Sequence, residues 1–247
     1  SIWVCDKDKG LFKITPTGGG YQIINICHND NDPYSLSSNA AYQAVEDKQG
    51  NIWVATYGGG VNVIRKDKSG RYIALHSKNV MTRYPHNAHM KVRTIALAKD
   101  GKVWAGSTDG ILIMQIRNEK ITIEELQSPE RLQDGLMSYD IVNLLADKQG
   151  TMWVGTNSGG LSRTDGHDDQ GHWKFKNYGI TDGLPSEEIH SITIDDQDNV
   201  WFATDNVLGS LNTKKGIFSS FSNLDGVDET MCSEGAAITT SDGKILF

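Results

Sequence analysis

The histidines and acidic residues with metal-binding spacing do not form a complete ligand set along the chain. His86 and His89 are three residues apart, a spacing that can bind a metal ion when both lie on one helical face. They follow Pro85 in a predicted loop, and no third ligand lies at a useful spacing. The acidic segments 30–32 and 167–169 lack the glycine and distal glutamate of an EF-hand loop. We therefore predict no metal site and no cofactor.

Motifs that would place a catalytic nucleophile or a phosphate group are also missing from the sequence. It contains no Gly-x-Ser-x-Gly motif, no P-loop and no dinucleotide fingerprint between a strand and a helix. The three cysteines, Cys5, Cys27 and Cys232, cannot all pair, which excludes a disulfide framework. We interpret them as buried small hydrophobic residues or isolated thiols. The sequence thus predicts no catalytic residue, and we expect this chain not to be an enzyme.

Composition narrows the class of protein further. The chain has 247 residues, with 24 Lys and Arg against 31 Asp and Glu, so its net charge is −7. An acidic chain is poorly suited to neutralise phosphates, and we expect no nucleic-acid partner. No apolar run approaches the ~20 residues of a membrane helix. With 26 glycines and only 5 prolines, the chain should be globular and rich in tight turns.

A tryptophan repeat shows which elements must position any functional residue. Consecutive tryptophans of the repeat lie 50, 51, 49 and 48 residues apart. The repeated phrase reads Asp47-Lys-Gln-Gly-Asn-Ile-Trp-Val-Ala-Thr56 in one copy and Asp147-Lys-Gln-Gly-Thr-Met-Trp-Val-Gly-Thr156 in another. Because these tryptophans recur at one register, we interpret them as packing residues and not as ligand-binding aromatics. They are Trp3, Trp53, Trp104, Trp153 and Trp201.

Each repeat has the pattern of four short antiparallel strands. A β-rich segment such as Val92–Leu97 precedes an Asp/Gly turn, the tryptophan strand follows, and a glycine turn leads to two further strands. Such a unit repeated every ~49 residues is typical of β-propeller blades, so the predicted fold is an all-β propeller of four-stranded blades. We expect one propeller segment over 1–247, about five blades of a longer, seven-bladed propeller. The predicted repeats are 1–40, 41–90, 91–138, 139–187 and 188–235, with a partial copy at 236–247.

Propeller geometry also predicts one face where a ligand could bind. The turns after the tryptophan strands and the connections between blades gather on the same face, around the central channel. Aromatic rings and planar polar groups there would suit sugar CH faces and hydroxyl groups. The residues predicted to bind a glycan are Tyr57, Asp109, Asn157, Tyr84, His86 and Arg131; Asp205 and Glu187 are among the others expected on this face.

The repeats and their linkers resemble the two-component regulator propeller repeats of hybrid histidine kinase sensors. The segments Asp134-Gly-Leu-Met-Ser-Tyr-Asp-Ile141 and Asp182-Gly-Leu-Pro-Ser-Glu-Glu-Ile189 match the linker type of that family. The first copy lacks the Asp turn, and the fifth has Asn199 where glycine is usual. The resemblance implies a non-catalytic periplasmic sensor module whose ligand is an oligosaccharide and whose parent sensor is a homodimer. Membrane attachment and the kinase would belong to other parts of that parent protein.

Two other classes of function stay open at this point. The chain could be a propeller lyase or hydrolase, since streptogramin lyases carry similar Gly-Asn-x-Trp phrases; that reading requires a convergent His/Glu/metal set near the channel. A sialidase, a separate alternative, would need an arginine cluster. The third class is a protein-interaction scaffold, which a broad, flat, apolar face would favour.

Overall fold

The chain folds into successive antiparallel sheets, as seen in a computed structural model that describes residues 1–85, 87–126, 135–227 and 232–247. It divides into two compact units, Ser1–Glu125 and Leu126–Phe247. Among the described residues, the only helical segments are two short 3-10 turns, Ile180–Asp182 and Asn223–Asp225. No helix in that part of the chain is long and apolar enough to cross a membrane. The all-β prediction is confirmed.

The first unit contains one three-stranded and two four-stranded sheets, each ordered as a simple meander. The first sheet consists of β1 (Ile2–Asp6), β2 (Gly10–Thr17) and β3 (Gly20–Ile26). The second contains β4 (Ala41–Glu46), β5 (Ile52–Thr56), β6 (Gly60–Lys66) and β7 (Tyr72–Leu75). The third contains β8 (Val92–Leu97), β9 (Val103–Ser107), β10 (Gly110–Arg117) and β11 (Lys120–Leu126).

The second unit repeats the same four-stranded pattern. Its first sheet is β12 (Ile141–Ala146), β13 (Met152–Thr156), β14 (Leu161–His167) and β15 (Trp173–Tyr178). The next is β16 (Ser191–Ile194), β17 (Val200–Ala203), β18 (Leu208–Asn212) and β19 (Ile217–Phe221). A two-stranded pair, β20 (Ile238–Thr239) and β21 (Ile245–Leu246), follows. These sheets match the blades that the repeat predicted.

Neighbouring sheets within each unit pack face to face through an apolar layer. In the first unit, Trp53 and Val63 of the second sheet share a cluster with Val92 and Leu112 of the third. In the second unit, one such cluster joins Trp153 to residues of the following sheet. The first strands of consecutive four-stranded sheets lie side by side, β4 with β8 and β12 with β16. This arrangement explains why the strands are apolar on both faces.

The repeated tryptophans make mainly packing contacts. Trp53, Trp104 and Trp153 are at most 2% exposed. Trp3 and Trp201 are half-buried: the first meets Tyr72 edge-on with ring centroids 6.0 Å apart, and the second stacks on Phe221 at 5.5 Å. Their rings are therefore occupied by intramolecular contacts.

The Asp/Gly phrase forms a turn that is tied to the tryptophan by a hydrogen bond, which we call the Asp–Trp latch (Asp47–Trp53, Asp147–Trp153 and Asp195–Trp201). Asp47 accepts from the backbone N–H groups of Gln49 and Asn51, both at 2.9 Å, and from Trp53 Nε1 at 2.8 Å. Gly50 adopts φ +81°, which glycine tolerates without strain. The other indoles donate to Asp147 at 3.1 Å and Asp195 at 2.9 Å. The latch explains why Asp and Trp recur six residues apart.

Candidate ligand-binding face

One end of each four-stranded sheet carries side chains that the repeat leaves free to vary. At this end the first strand begins and the second strand ends, opposite the Asp–Trp latch. In three sheets the first strand is irregular after its first residue, since the pairing shifts between Ala41 and Gln43, between Val92 and Thr94, and between Ile141 and Asn143. Such a bulge redirects the extra residue. We call this the bulge end, and its three positions are the residue before the first strand, the extra residue, and the residue after the second strand.

The bulge end of the second sheet presents a pair of tyrosines between two lysines. Tyr42, the extra residue, stacks on Tyr57 with ring centroids 5.7 Å apart and an interplanar angle of 24°. Lys7 Nζ lies 4.5 Å from the Tyr42 ring centroid, and Lys91 Nζ lies 5.5 Å from that of Tyr57. Both rings are half-buried, whereas both lysines are exposed. We name these four residues the tyrosine stack.

Two residues predicted to bind a ligand form hydrogen bonds in the loop before the third sheet. Tyr84 is 2% exposed, and its hydroxyl donates to the His89 carbonyl oxygen at 2.6 Å. Burial raises the pKa of its phenol above the ordinary value. Asp109 is exposed, and its Oδ2 accepts from the His89 backbone N–H at 2.9 Å. The burial of Tyr84 does not support a ligand-facing role, whereas Asp109 remains accessible.

His89 is packed inside this loop. Its side chain is fully buried, and its Nδ1 lies 2.7 Å from Ser107 Oγ. His86 and Arg131, also predicted to bind a ligand, lie outside the described residues. His89 thus serves packing.

In the second unit, the bulge ends carry acidic and amide groups. Asn157 is exposed and donates from Nδ2 to Asp140 Oδ2 at 3.0 Å. In the following sheet, His190 Nε2 lies 2.7 Å from Asp205 Oδ1, and Glu188 brings a second carboxylate to the same place. Asn157 and Asp205 stand where the sequence places them, after the second strand.

Five residues at the bulge ends were not predicted from the sequence: Tyr42, Lys7, Lys91, Glu188 and His190. A signal for most of them exists in the repeat register. Counting six residues back from the first residue of the latch finds Ala41, Ile141 and Ile189, and the next residue is Tyr42, Val142 or His190. Tyr42 and Val142 are the extra residues of bulges, and His190 directly precedes β16. The register alone does not show that this residue is redirected by a bulge.

Three copies of the repeat match a known protein family. Three segments, 35–58, 135–158 and 183–206, match the family model of the two-component regulator propeller. Each contains a first strand, a latch turn and a tryptophan strand. These three segments are thus similar to repeats of the two-component regulator propeller family. No curated protein sequence matches the chain.

Solved structures with the same fold include both sensors and enzymes. The extracellular domain of the hybrid two-component system BT3049 of B. thetaiotaomicron is similar with a TM-score of 0.60 and 20% identity, over 98% of this chain and 36% of that one. The corresponding domain of BT4673 gives 0.65 and 20%, over 89% and 29%. Virginiamycin B lyase from Staphylococcus aureus gives 0.60 and 17%, over 95% and 71%. At these identities the likeness concerns the fold alone. It confirms the prediction of a propeller fold.

The chain is much shorter than the sensor domains that it resembles. It spans about a third of the length of the two extracellular domains. The structural likeness therefore covers only part of each of those domains.

Proposed function

We propose that the chain is part of the extracytoplasmic sensor region of a hybrid two-component regulator, where it binds an oligosaccharide without chemical change. The propeller repeats and the fold shared with sensor extracellular domains support the sensor role. The tyrosine stack is the observation that carries the ligand class. The parent sensor would be a periplasmic homodimer, and ligand would favour one arrangement of its two chains over another.

The tyrosine stack combines the two features that sugars require of a binding surface. Aromatic rings offer flat apolar faces to sugar CH groups, and hydroxyls or ammonium groups at their edges form hydrogen bonds. Tyr42 and Tyr57 stack on each other, and Lys7 and Lys91 lie over their rings on flexible, exposed side chains. A sugar would therefore reach an outer ring face when a lysine side chain moves aside and donates to it. Two ammonium groups also favour a carboxylated or sulfated sugar over a neutral one. We therefore propose an acidic oligosaccharide as the ligand.

Isothermal titration calorimetry with neutral and acidic oligosaccharides tests this proposal. We expect the full chain to bind an acidic oligosaccharide, with affinity that decreases as salt increases because charges contribute. Tyr57→Ala should weaken binding by about 5- to 150-fold, taking the roughly 1–3 kcal/mol that one aromatic contact is worth when nucleic-acid bases stack on it.

Tyr21→Ala is the matched control for that experiment. Tyr21 is 70% exposed on β3 and has no place in the tyrosine stack. Its loss should leave affinity unchanged. Equal affinity of Tyr57→Ala and the wild-type chain, or no binding of any oligosaccharide, would refute the proposed site.

An enzymatic function is the second candidate, because the structure contains the kind of convergent set that it requires. Glu188, His190 and Asp205 bring an imidazole and two carboxylates together at a bulge end. A histidine held by a carboxylate is suited to move a proton. Incubation with oligosaccharides, followed by mass spectrometry, tests this. Cleavage that His190→Ala abolishes would favour an enzyme, and recovery of intact oligosaccharides would exclude cleavage of those substrates.

A further inference from the structure

Glu188, His190 and Asp205 form the one group of three metal-ligating side chains found among the described residues. One ligand atom from each lies within 4.8 Å of the others. His190 Nε2 and Asp205 Oδ1 are 2.7 Å apart. All three residues lie in the second unit, so a single compact part of the chain builds the group.

The backbone that carries this group is held by hydrogen bonds on several sides. The His190 N–H donates to the Ala203 carbonyl oxygen at 2.9 Å. The His190 carbonyl oxygen accepts from Asn143 Nδ2 at 2.7 Å and from the Gly235 N–H at 2.9 Å. These bonds connect His190 to the preceding sheet, its own sheet and the following segment. The imidazole is therefore presented from a fixed backbone, which lowers the cost of assembling a site.

The same positions in neighbouring sheets carry other chemistry, so the group is particular to this sheet. The equivalent trio in the preceding sheet is Asp140, Val142 and Asn157, in which the central side chain cannot bind a metal ion. In the second sheet it is Ala40, Tyr42 and Tyr57. The repeat itself thus needs neither the histidine nor the two carboxylates at these positions.

Solvent access and ligand type indicate which ion would fit. The His190 side chain is 19% exposed and that of Asp205 is 47% exposed, so water or another ligand can complete the coordination shell. A site of one imidazole nitrogen and two carboxylate oxygens suits Zn²⁺, whereas Mg²⁺ and Ca²⁺ prefer oxygen ligands throughout. We propose that Glu188, His190 and Asp205 bind a Zn²⁺ ion with at least one coordination position open to solvent.

Binding requires only a local adjustment of the side chains. Ligand atoms at ~2.1 Å from a tetrahedral Zn²⁺ are about 3.4 Å apart, so the His190–Asp205 hydrogen bond opens by under ~1 Å as the ion replaces its proton. The ligand oxygen of Glu188 lies within 4.8 Å of the other two ligand atoms, so it also needs only a short movement to reach the ion. This site does not depend on the tyrosine stack or on oligosaccharide binding.

Calorimetric titration of the full chain with ZnCl₂ tests the proposal. We expect one Zn²⁺ per chain, and Ca²⁺ or Mg²⁺ should bind more weakly. His190→Gln, Asp205→Asn and Glu188→Gln should each weaken Zn²⁺ binding by at least the ~10-fold that loss of an outer-shell partner costs. Asp205→Asn and Glu188→Gln keep the side-chain shapes and so should preserve the fold.

The His172–Asp168 pair provides the matched control. Its Nδ1 and Oδ2 atoms are 3.1 Å apart, and the His172 side chain is exposed while that of Asp168 is half-buried, but the pair belongs to no three-residue group among the described residues. His172→Gln should leave Zn²⁺ affinity unchanged. If His190→Gln and His172→Gln bind Zn²⁺ equally, or if the wild-type chain binds none, the proposal is wrong.

A spectroscopic readout makes the test independent of variant stability. The chain has 7 histidines, and imidazole ¹H–¹⁵N spectra, assigned by single His→Gln variants, report on the individual rings. One equivalent of Zn²⁺ should shift the ring signals of His190 and leave those of His172 in place. Shifts spread over several histidines would indicate nonspecific binding and would overturn the assignment.

Discussion

The Asp–Trp latch allows a quantitative test of what the repeated sequence phrase does for stability. In the substitution Asp47→Ala, four donors lose their acceptor: the N–H groups of Gln49 and Asn51, Asn51 Nδ2 and Trp53 Nε1. The first three belong to a turn at the surface, where water can replace the carboxylate. Trp53 is 1% exposed, so its indole N–H is left without a partner.

The expected cost follows from this difference between the donors. An unpartnered buried donor costs about 1–3 kcal/mol, and loss of the turn bonds to a charged acceptor adds about 1 kcal/mol. We therefore expect Asp47→Ala to lower the free energy of unfolding by about 3 kcal/mol. For a unit of this size, that corresponds to a fall of about 10 °C in Tm. Asp47→Asn, which keeps one oxygen, should cost less.

Urea unfolding followed by far-UV circular dichroism measures this cost, and Asp67→Ala is the control. Asp67 accepts from the Ser69 N–H at 2.8 Å and the Arg71 N–H at 3.0 Å, so its turn resembles that of Asp47. Asp67 is more exposed and, among its described contacts, receives no indole N–H. Its substitution should have a clearly smaller effect. Equal destabilisation by the two variants would refute the role assigned to the indole bond.

Three further predictions concern packing, pH and thiol reactivity. Gly209→Ala should destabilise the second unit by about 1–3 kcal/mol in urea unfolding, because its Cβ would lie 2.3 Å from the Phe202 ring. Burial lowers the pKa of His76 below its ordinary 6.5. The contribution of the neutral side chain to stability is therefore fully present above pH 6.5 and is lost as the pH falls through the folded-state pKa. His76→Gln should flatten the dependence of the urea midpoint on pH between about pH 7.5 and 5. Burial raises the pKa of Cys5 to about 11, so iodoacetamide at pH 8 should label the exposed Cys27 first by mass spectrometry, and faster labelling of Cys5 would contradict its burial.

Much of the fold was predictable because local sequence determines the positions of the turns and strands within each repeat. The spacing of Trp53 and Trp153 fixes the register of the sheets, and the strand pattern around Val92–Leu97 appears in the structure with those bounds. Face-to-face packing then follows from strands that are apolar on both sides.

The candidate site was less predictable, since it depends on how nonlocal loops and bulges turn individual side chains. Tyr57 and Asp109 lie after tryptophan strands, and their accessible positions follow from the turn register. Tyr84 lies in a connection between sheets, where an aromatic residue can face solvent or fill the core. Its hydroxyl finds a buried partner in the His89 carbonyl oxygen, and no spacing in the sequence indicates that contact.

The distance between the Asp–Trp latch and the bulge end has an evolutionary consequence. The two features occupy opposite ends of the same hairpin, so residues that maintain the framework are separate from residues that vary its surface chemistry. Tyr42 and His190 show the outcome: one framework position presents an aromatic ring in one copy and an imidazole in another. Duplication of a single hairpin could therefore supply a collection of recognition surfaces, each able to diversify at little cost to the shared scaffold.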